Sequence, residues 1–251
     1  MKTKSRITSI VAPVVTFVLI FVAWEIACRV TGVPSWFVPK PSEIFHSMVV
    51  DFQVYLPHIL VTLQCVLIGF LIAIPVGLIV STLITSFPLL NAAMSPYITF
   101  LVTTPLISLI PLLMLAMGYG MSMRITVVVI QAFAVINMNA CTGFNNVPTI
   151  RRELMQSVGA SRLQTYWKMI LPSAATDIIT GLRLAAIFAT TTCISVEYNA
   201  GNTGLGSQII KYSQYMKTPE SFACIFYVTI IGLIMYALIS IIQKKIVNWQ
   251  E

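Results

Sequence analysis

Few side chains in this sequence carry chemistry, and their spacing limits what they can do. Glu25 and Arg29 lie four apart, which on a helix puts an ion pair on one face. Arg183 follows Asp177 near the start of a later apolar run, where it either pairs, snorkels to the end of the run, or serves a gate. Glu197 ends the same run ahead of Gly201, Gly204 and Gly206. A carboxylate there marks a solute path or docking point, or else caps the glycine turn. Thr190, Thr191, Thr192 and Ser195 supply hydroxyls that either bond across helices or line a path. Asn137 and Asn139 read as satisfying backbone near the entry to the next loop. His46 and His58 lack partners at ligand spacing and read as solvated loop residues rather than metal ligands. Five cysteines (Cys28, Cys65, Cys141, Cys193, Cys224) stand singly without Cys-x-x-Cys, which argues against a disulfide framework or zinc site and for small buried side chains. There is no His pair, no Asp/Glu dyad and no Gly-x-Ser-x-Gly, and none of the 12 glycines precedes a lysine. Acid–base, nucleophilic and phosphate-loop chemistry are therefore missing, and the chain does not read as an enzyme.

The densest pattern is not catalytic. From Asn146 to Gly159 the chain reads as a short helix, with Pro148 suited to its first turn and Gly159 to a left-handed C-terminal cap. Ile150, Leu154 and Val158 fall at spacing four on one face, while Arg151, Arg152 and Glu153 stay polar. Ser161 and Gln164 then form a capping box, so a second short helix is expected to start at once and stop at Pro172. Such a helix–glycine–helix unit either plugs another protein's groove or packs as an elbow on its own chain.

The elements that must carry these residues are set by composition. Of 251 residues, 57% are hydrophobic and 9% charged, with a mean hydropathy of +0.89. A soluble domain carries roughly 25% charged residues, so this is an integral membrane protein. Six runs are long and apolar enough to cross as helices: Ile10–Val30, Leu60–Ile84, Leu90–Met117, Ile125–Ala140, Ile178–Val196 and Phe222–Gln243. Pro96, Pro105 and Pro111 interrupt the third. The first run is too long for a cleaved signal and lacks a small-x-small site, so it reads as a retained helix. Lys2, Lys4, Arg6, Arg151, Arg152, Arg162, Lys168, Arg183, Lys244 and Lys245 can share one side, leaving Arg29, Lys40, Arg124, Lys211 and Lys217 for the other. That ten-to-five bias places both termini and the 145–177 loop in the cytoplasm. The charges form no basic stripe, so nucleic acid is not a partner. On the outer side, Trp36 and Phe37 suit an interfacial belt. Ser42 opens a short amphipathic helix whose apolar face is Ile44, Phe45, Met48, Val49 and Phe52, expected to lie on the membrane surface.

The loop also resembles a known family. Glu153-Leu154-Met155, Gly159 and Met169-Ile170-Leu171-Pro172 match the spacing of the EAA loop of binding-protein-dependent ABC importer permeases, with Leu154, Met155 and Met169 departing from its usual residues. Pro39-Lys40-Pro41-Ser42, Gly69-Phe70 with Pro75 and Gly77, Pro105 and Pro111 before Gly118-Tyr119-Gly120, Asn139 with Gly143, Gly181-Leu182-Arg183 and Glu197 before Gly204-Leu205-Gly206 are similar to the nitrate, sulfonate and taurine branch. The resemblance implies an all-α type I permease fold, with residues 1–251 as one transmembrane domain. It would carry a coupling loop over about 145–172 and an external amphipathic segment over about 36–56. It further implies that Ile150, Glu153, Leu154, Val158, Gly159, Ala160 and Pro172 meet an ATPase dimer, which binds the ATP and magnesium while this chain holds no cofactor. A solute-binding protein outside, a second and identical permease copy, surrounding membrane lipid and the bacterial inner membrane are implied likewise. Arg183, Thr191, Ser195 and Glu197 are the candidates for pathway or gate. The expected solute is a small anion such as an alkanesulfonate, taurine or nitrate. A pyrimidine vitamin precursor, or a secondary transporter without an ATPase, is the alternative.

Overall fold

The computed structural model describes residues 2–246, with side chains for 11–199 and 201–244. Lys2, Lys4, Arg6 and Lys245, which contribute to the charge bias, have side chains outside that set. The described chain is helical: α1 (Lys2–Thr31), α2 (Pro41–Val50), α3 (Phe52–Ser86), α4 (Pro88–Thr103), α5 (Ile110–Met117), α6 (Met121–Asn145), α7 (Thr149–Ser157), α8 (Arg162–Thr165), α9 (Leu171–Ser173), α10 (Ala175–Ala200), α11 (Leu205–Gln214) and α12 (Thr218–Ile246).

Among the described residues five helices are long and apolar enough to cross a membrane: Val11–Thr31, Phe52–Ser86, Met121–Asn145, Ala175–Asn199 and Thr218–Lys244. The third expected crossing differs. Over Leu90–Met117 the chain forms α4, a 3-10 turn at Leu106–Ser108, and α5. Pro105 explains the break, because a residue before proline is pushed out of helical geometry, and Thr104 is extended at φ −71° and ψ 126°. Pro111 then sits in the first turn of α5, where its missing N–H costs nothing.

Helix α6 is the centre, with α3 along one side and α10 along the other. Cys65, Val66, Phe70 and Ala73 of α3 meet Val128, Ala132, Val135 and Ile136 of α6, and Ala185, Ala186, Ala189 and Cys193 of α10 complete this core. Glycine sets the approach of α3. A Cβ on Gly69 would lie 2.5 Å from Val128 Cγ1, and one on Gly77 would lie 2.8 Å from Ile136 Cγ2. In lipid such close packing replaces the hydrophobic drive that joins helices in water. Helix α1 is held differently: Phe21 packs against Phe45 and Phe226, and Trp24 against Phe222, pinning its C-terminal half to α2 and α12 while most of its surface stays exposed.

Helix α2 starts two residues earlier than an N-cap at Ser42 would place it. Lys40 is the N-cap, Pro41 opens the helix, and Glu43 closes a capping box. Burial pushes the Glu43 carboxyl up, but bonds from Lys40 and Ser35 outweigh it and hold the group below its ordinary value. The face expected to be polar is partly inside: Ser47 is buried, 2.6 Å from the Tyr55 hydroxyl and 3.1 Å from Asp51 Oδ2. Glu25 pairs with Arg29 at 2.7 Å, and also accepts from the Ser42 amide and hydroxyl, so the ion pair ties α1 to α2.

Gly77→Leu forces a side chain into Ile136 and is expected to cost about 1–3 kcal/mol. Gly232→Ala, where a Cβ would meet Thr190 Cγ2 at 3.7 Å, should leave the unfolding midpoint in detergent unchanged.

Candidate functional site

Two groups of polar residues lie at opposite ends of the α3–α6–α10 core. At one end the chain leaves α6 through Pro148 and forms α7. Its C-terminus closes with paired backbone bonds, Ala160 N to Met155 O at 3.0 Å and Gly159 N to Gln156 O at 2.9 Å, with Gly159 at φ +71°. This is the left-handed cap that a residue without Cβ adopts without strain. Ser161 and Gln164 make the expected reciprocal box at 3.2 and 2.9 Å.

Beyond this box the chain departs from expectation, because the second short helix does not stop at Pro172. The backbone takes a π turn over Tyr166–Ile170, in which the Leu171 amide reaches back to Tyr166 O, and continues through α9 into α10. Pro172 has no N–H to give the Lys168 carbonyl and its ring crowds that group, so widening the turn is the local remedy. Three contacts fix this corner: Tyr166 hydroxyl to Thr82 Oγ1 at 2.7 Å, Arg152 Nη2 to Phe144 O at 2.7 Å, and Arg151 Nη1 to Ser173 Oγ at 3.3 Å. Spacing alone did not single out Arg152 or Tyr166 for these roles. The elbow is thus anchored on its own chain through its polar side. Its apolar stripe is open, with Ile150 72%, Leu154 63% and Val158 70% exposed. Glu153 and Gly159 are exposed, while Ala160 and Pro172 are half-buried.

At the other end, Glu197 is fully buried within α10. Its carboxylate accepts from Thr62 Oγ1 at 2.8 and 3.0 Å and from the Gly206 amide at 2.8 Å. Thr62 Oγ1 in turn accepts from the Leu205 amide at 2.9 Å, and His58 Nδ1 accepts from the Gly204 amide at 3.2 Å. Side chains of α3 and α10 therefore cap the N-terminus of α11, whose first amides have no partner of their own. Gly204 is at φ +102°, and a Cβ there would overlap the Glu197 carboxylate. Arg124, buried in the first turn of α6, donates to Thr203 O at 2.9 Å and joins the same turn. Thr62, His58 and Arg124 were not legible as members of this cluster, because they come from helices distant in sequence.

The remaining candidates are scattered. Arg183 donates to Gln243 and lies 5.6 Å from the centroid of Tyr236, both on α12, rather than pairing with Asp177. Thr191 and Ser195 bond carbonyls of their own helix at 3.2 and 3.0 Å. Thr190 and Thr191 face Thr229 and Tyr236 across a cleft of about 440 Å³ between α10 and α12. Asn137 Nδ2 bonds Gly77 O across to α3 at 3.5 Å, and His46 is exposed.

Comparison with known proteins places the whole arrangement. The model of the family described as binding-protein-dependent transport system inner membrane component matches residues 73–248. A formylaminopyrimidine transport permease protein of Halalkalibacterium halodurans is 27% identical over 240 residues, covering 95% of this chain and 96% of its own. The taurine transport system permease protein of Escherichia coli is 24% identical over 242 residues, covering 93% and 88%. Among solved structures, a chain of an amino acid ABC transporter superposes with a TM-score of 0.63 at 20% identity, over 80% of this chain and 98% of its own. A chain of an inward-facing methionine ABC transporter gives 0.61 at 20% identity, over 79% and 96%. These two likenesses show a shared fold.

Glu197→Ala leaves the Gly206 amide and the Thr62 hydroxyl without their acceptor. It should cost about 1–3 kcal/mol and raise hydrogen exchange at residues 204–208, with α6 and α7 unchanged.

Proposed function

The chain belongs to the binding-protein-dependent transport system inner membrane component family, and from that premise we propose that it is the permease subunit of an ATP-driven importer, forming an alternating-access path for a small solute. The observation that carries the reading is the open stripe of Ile150, Leu154 and Val158 on a helix clamped to the core from its other side. Exposed apolar side chains on an otherwise polar nine-residue helix need a groove to fill. The groove belongs to a partner ATPase, with Glu153, Gly159, Ala160 and Pro172 completing the contact segment. That ATPase dimer binds ATP and magnesium and does the hydrolysis, so this subunit has no catalytic residue. One loop per chain against two ATPase subunits calls for a second permease copy, identical to the first.

The subunit sits in the bacterial inner membrane with both termini and α7 in the cytoplasm. A solute-binding protein docks outside and delivers the solute. Rocking of the helix groups opens one side and then the other, driven by the different affinities of the partners for the two access states. Arg183, Thr191, Ser195 and Glu197 remain the pathway and gate candidates. The α10–α12 cleft holding Thr191 offers neutral hydroxyls, and Glu197 acts by holding α11 in place.

The solute is a small anion of the taurine, alkanesulfonate or nitrate kind, in line with the taurine permease relative. The pyrimidine relative, matched over 95% of the chain, favours a vitamin-precursor pyrimidine as the second reading. Uptake by cells carrying the complete system decides between them. Competition by taurine but not formylaminopyrimidine supports the anion, and the reverse pattern supports the pyrimidine.

Tagged chain purified in mild detergent should bring one ATPase per permease. Leu154→Asp should reduce that capture about tenfold or more. Gly159→Pro cannot hold φ +71° and Glu153→Arg reverses the exposed charge, so both should abolish coupled uptake while insertion stays normal. Normal ATPase capture and uptake in all three would remove α7 from the coupling role.

A further inference from the structure

The face of α7 turned away from its apolar stripe borders the first of two neighbouring spaces. One is a mixed cavity of about 460 Å³, where Arg152, Gln156, Arg162, Thr165 and the Thr85–Ser86 end of α3 stand beside Phe87 and Ile170. The other is an apolar groove of about 680 Å³ running along Leu78, Ile79 and Leu83 of α3, with Leu163, Trp167 and Leu171 opposite. Ser86, Arg162 and Tyr166 line both, so the two spaces lie side by side. Two guanidiniums thus stand over the head of an apolar channel. Arg152 spends one N–H on Phe144 O, and its Nε is buried with no hydrogen-bond partner among the described residues. Arg152 and Arg162 both line the cavity, and their guanidinium N–H groups are the donors an anionic oxygen there would meet.

We propose that this compound site binds one anionic phospholipid, its phosphate between Arg152 and Arg162 and one acyl chain along the groove. The position fits a lipid better than a peptide. Ile79 and Leu83 are exposed on a helix long enough to cross the membrane, so the groove opens toward hydrocarbon. Trp167 is exposed and Tyr166 half-buried just where the chain re-enters a spanning helix, the level at which aromatic rings and cations meet headgroups. Because the site joins the end of α3 to the anchored side of α7, its occupant braces the elbow while the stripe of Ile150, Leu154 and Val158 stays free. Assignment to the cytoplasmic leaflet rests on the proposed orientation of the importer subunit; the binding itself does not.

The test uses the full chain, delipidated in detergent and titrated with phosphatidylglycerol or phosphatidylcholine under native mass spectrometry. One phosphatidylglycerol per chain is expected, bound about tenfold more tightly than phosphatidylcholine. Arg162→Gln should erase that preference and Arg162→Lys should largely keep it, with unchanged unfolding midpoints showing that both fold. Leu163→Asp should weaken retention of both lipids. Equal binding of the two lipids by the unaltered chain, or no effect of Arg162→Gln, overturns the proposal. So does displacement by inorganic phosphate with no dependence on acyl length, which would make the cavity a free-anion site. Release of the lipid on adding the partner ATPase would assign the groove to a protein contact and also overturn it. Lipid binding is read without any ATPase, so a chain that holds phosphatidylglycerol but captures no ATPase removes the importer reading and leaves this site standing.

Discussion

The fit of α3 and α10 against α6 is the constraint on which the other features depend. Apolar helices gain little from meeting one another in lipid, so contact must come from close packing and from buried hydrogen bonds. Gly69 and Gly77 let α3 approach until Val128 and Ile136 fill the space of absent side chains, and Asn137 reaches across to Gly77 O. Once these helices are fixed, both ends of the protein are fixed. At one end α3 and α6 present Thr82 and Phe144 O to Tyr166 and Arg152. At the other, Thr62 of α3, Arg124 of α6 and Glu197 of α10 converge on the turn that starts α11.

The two ends use polarity in opposite ways. Around Glu197 a carboxylate is taken fully out of solvent, which is tolerable only because Thr62 Oγ1 and the Gly206 amide donate to it. The result is a firm attachment of α11 to α3 and α10. Around α7 the polar groups stay near the surface and anchor the helix from one side, leaving the apolar side uncovered. Helix α7 is therefore incomplete by itself, in the manner of a segment shaped for a partner.

Much of the elbow at α7 is legible from local sequence, since its signals act over a few residues. Gly159 must be in the left-handed region to end α7, and Ser161 with Gln164 must open the next helix. Pro105 breaks the third apolar run by the same kind of local sterics, yet its position within a run of suitable length and hydropathy suggested one continuous crossing. Pro172 misled in the other direction. A proline is expected to stop a helix, but a π turn absorbed it, with Tyr166 at its start held by Thr82 of α3.

By itself, then, the sequence determined that the chain is a helical membrane protein and where its elbow turns, because composition and short-range sterics settle both. The tertiary structure alone decided which partner each polar group takes. Glu197 could have faced a solute path or a turn, Arg183 could have met Asp177, and His58 could have been solvated. The choice was made by residues 60 to 146 positions away: Gln243 for Arg183, Thr62 for Glu197 and Gly204 for His58. Hydrogen bonds of that reach depend on helix packing, which leaves no periodic trace in the chain.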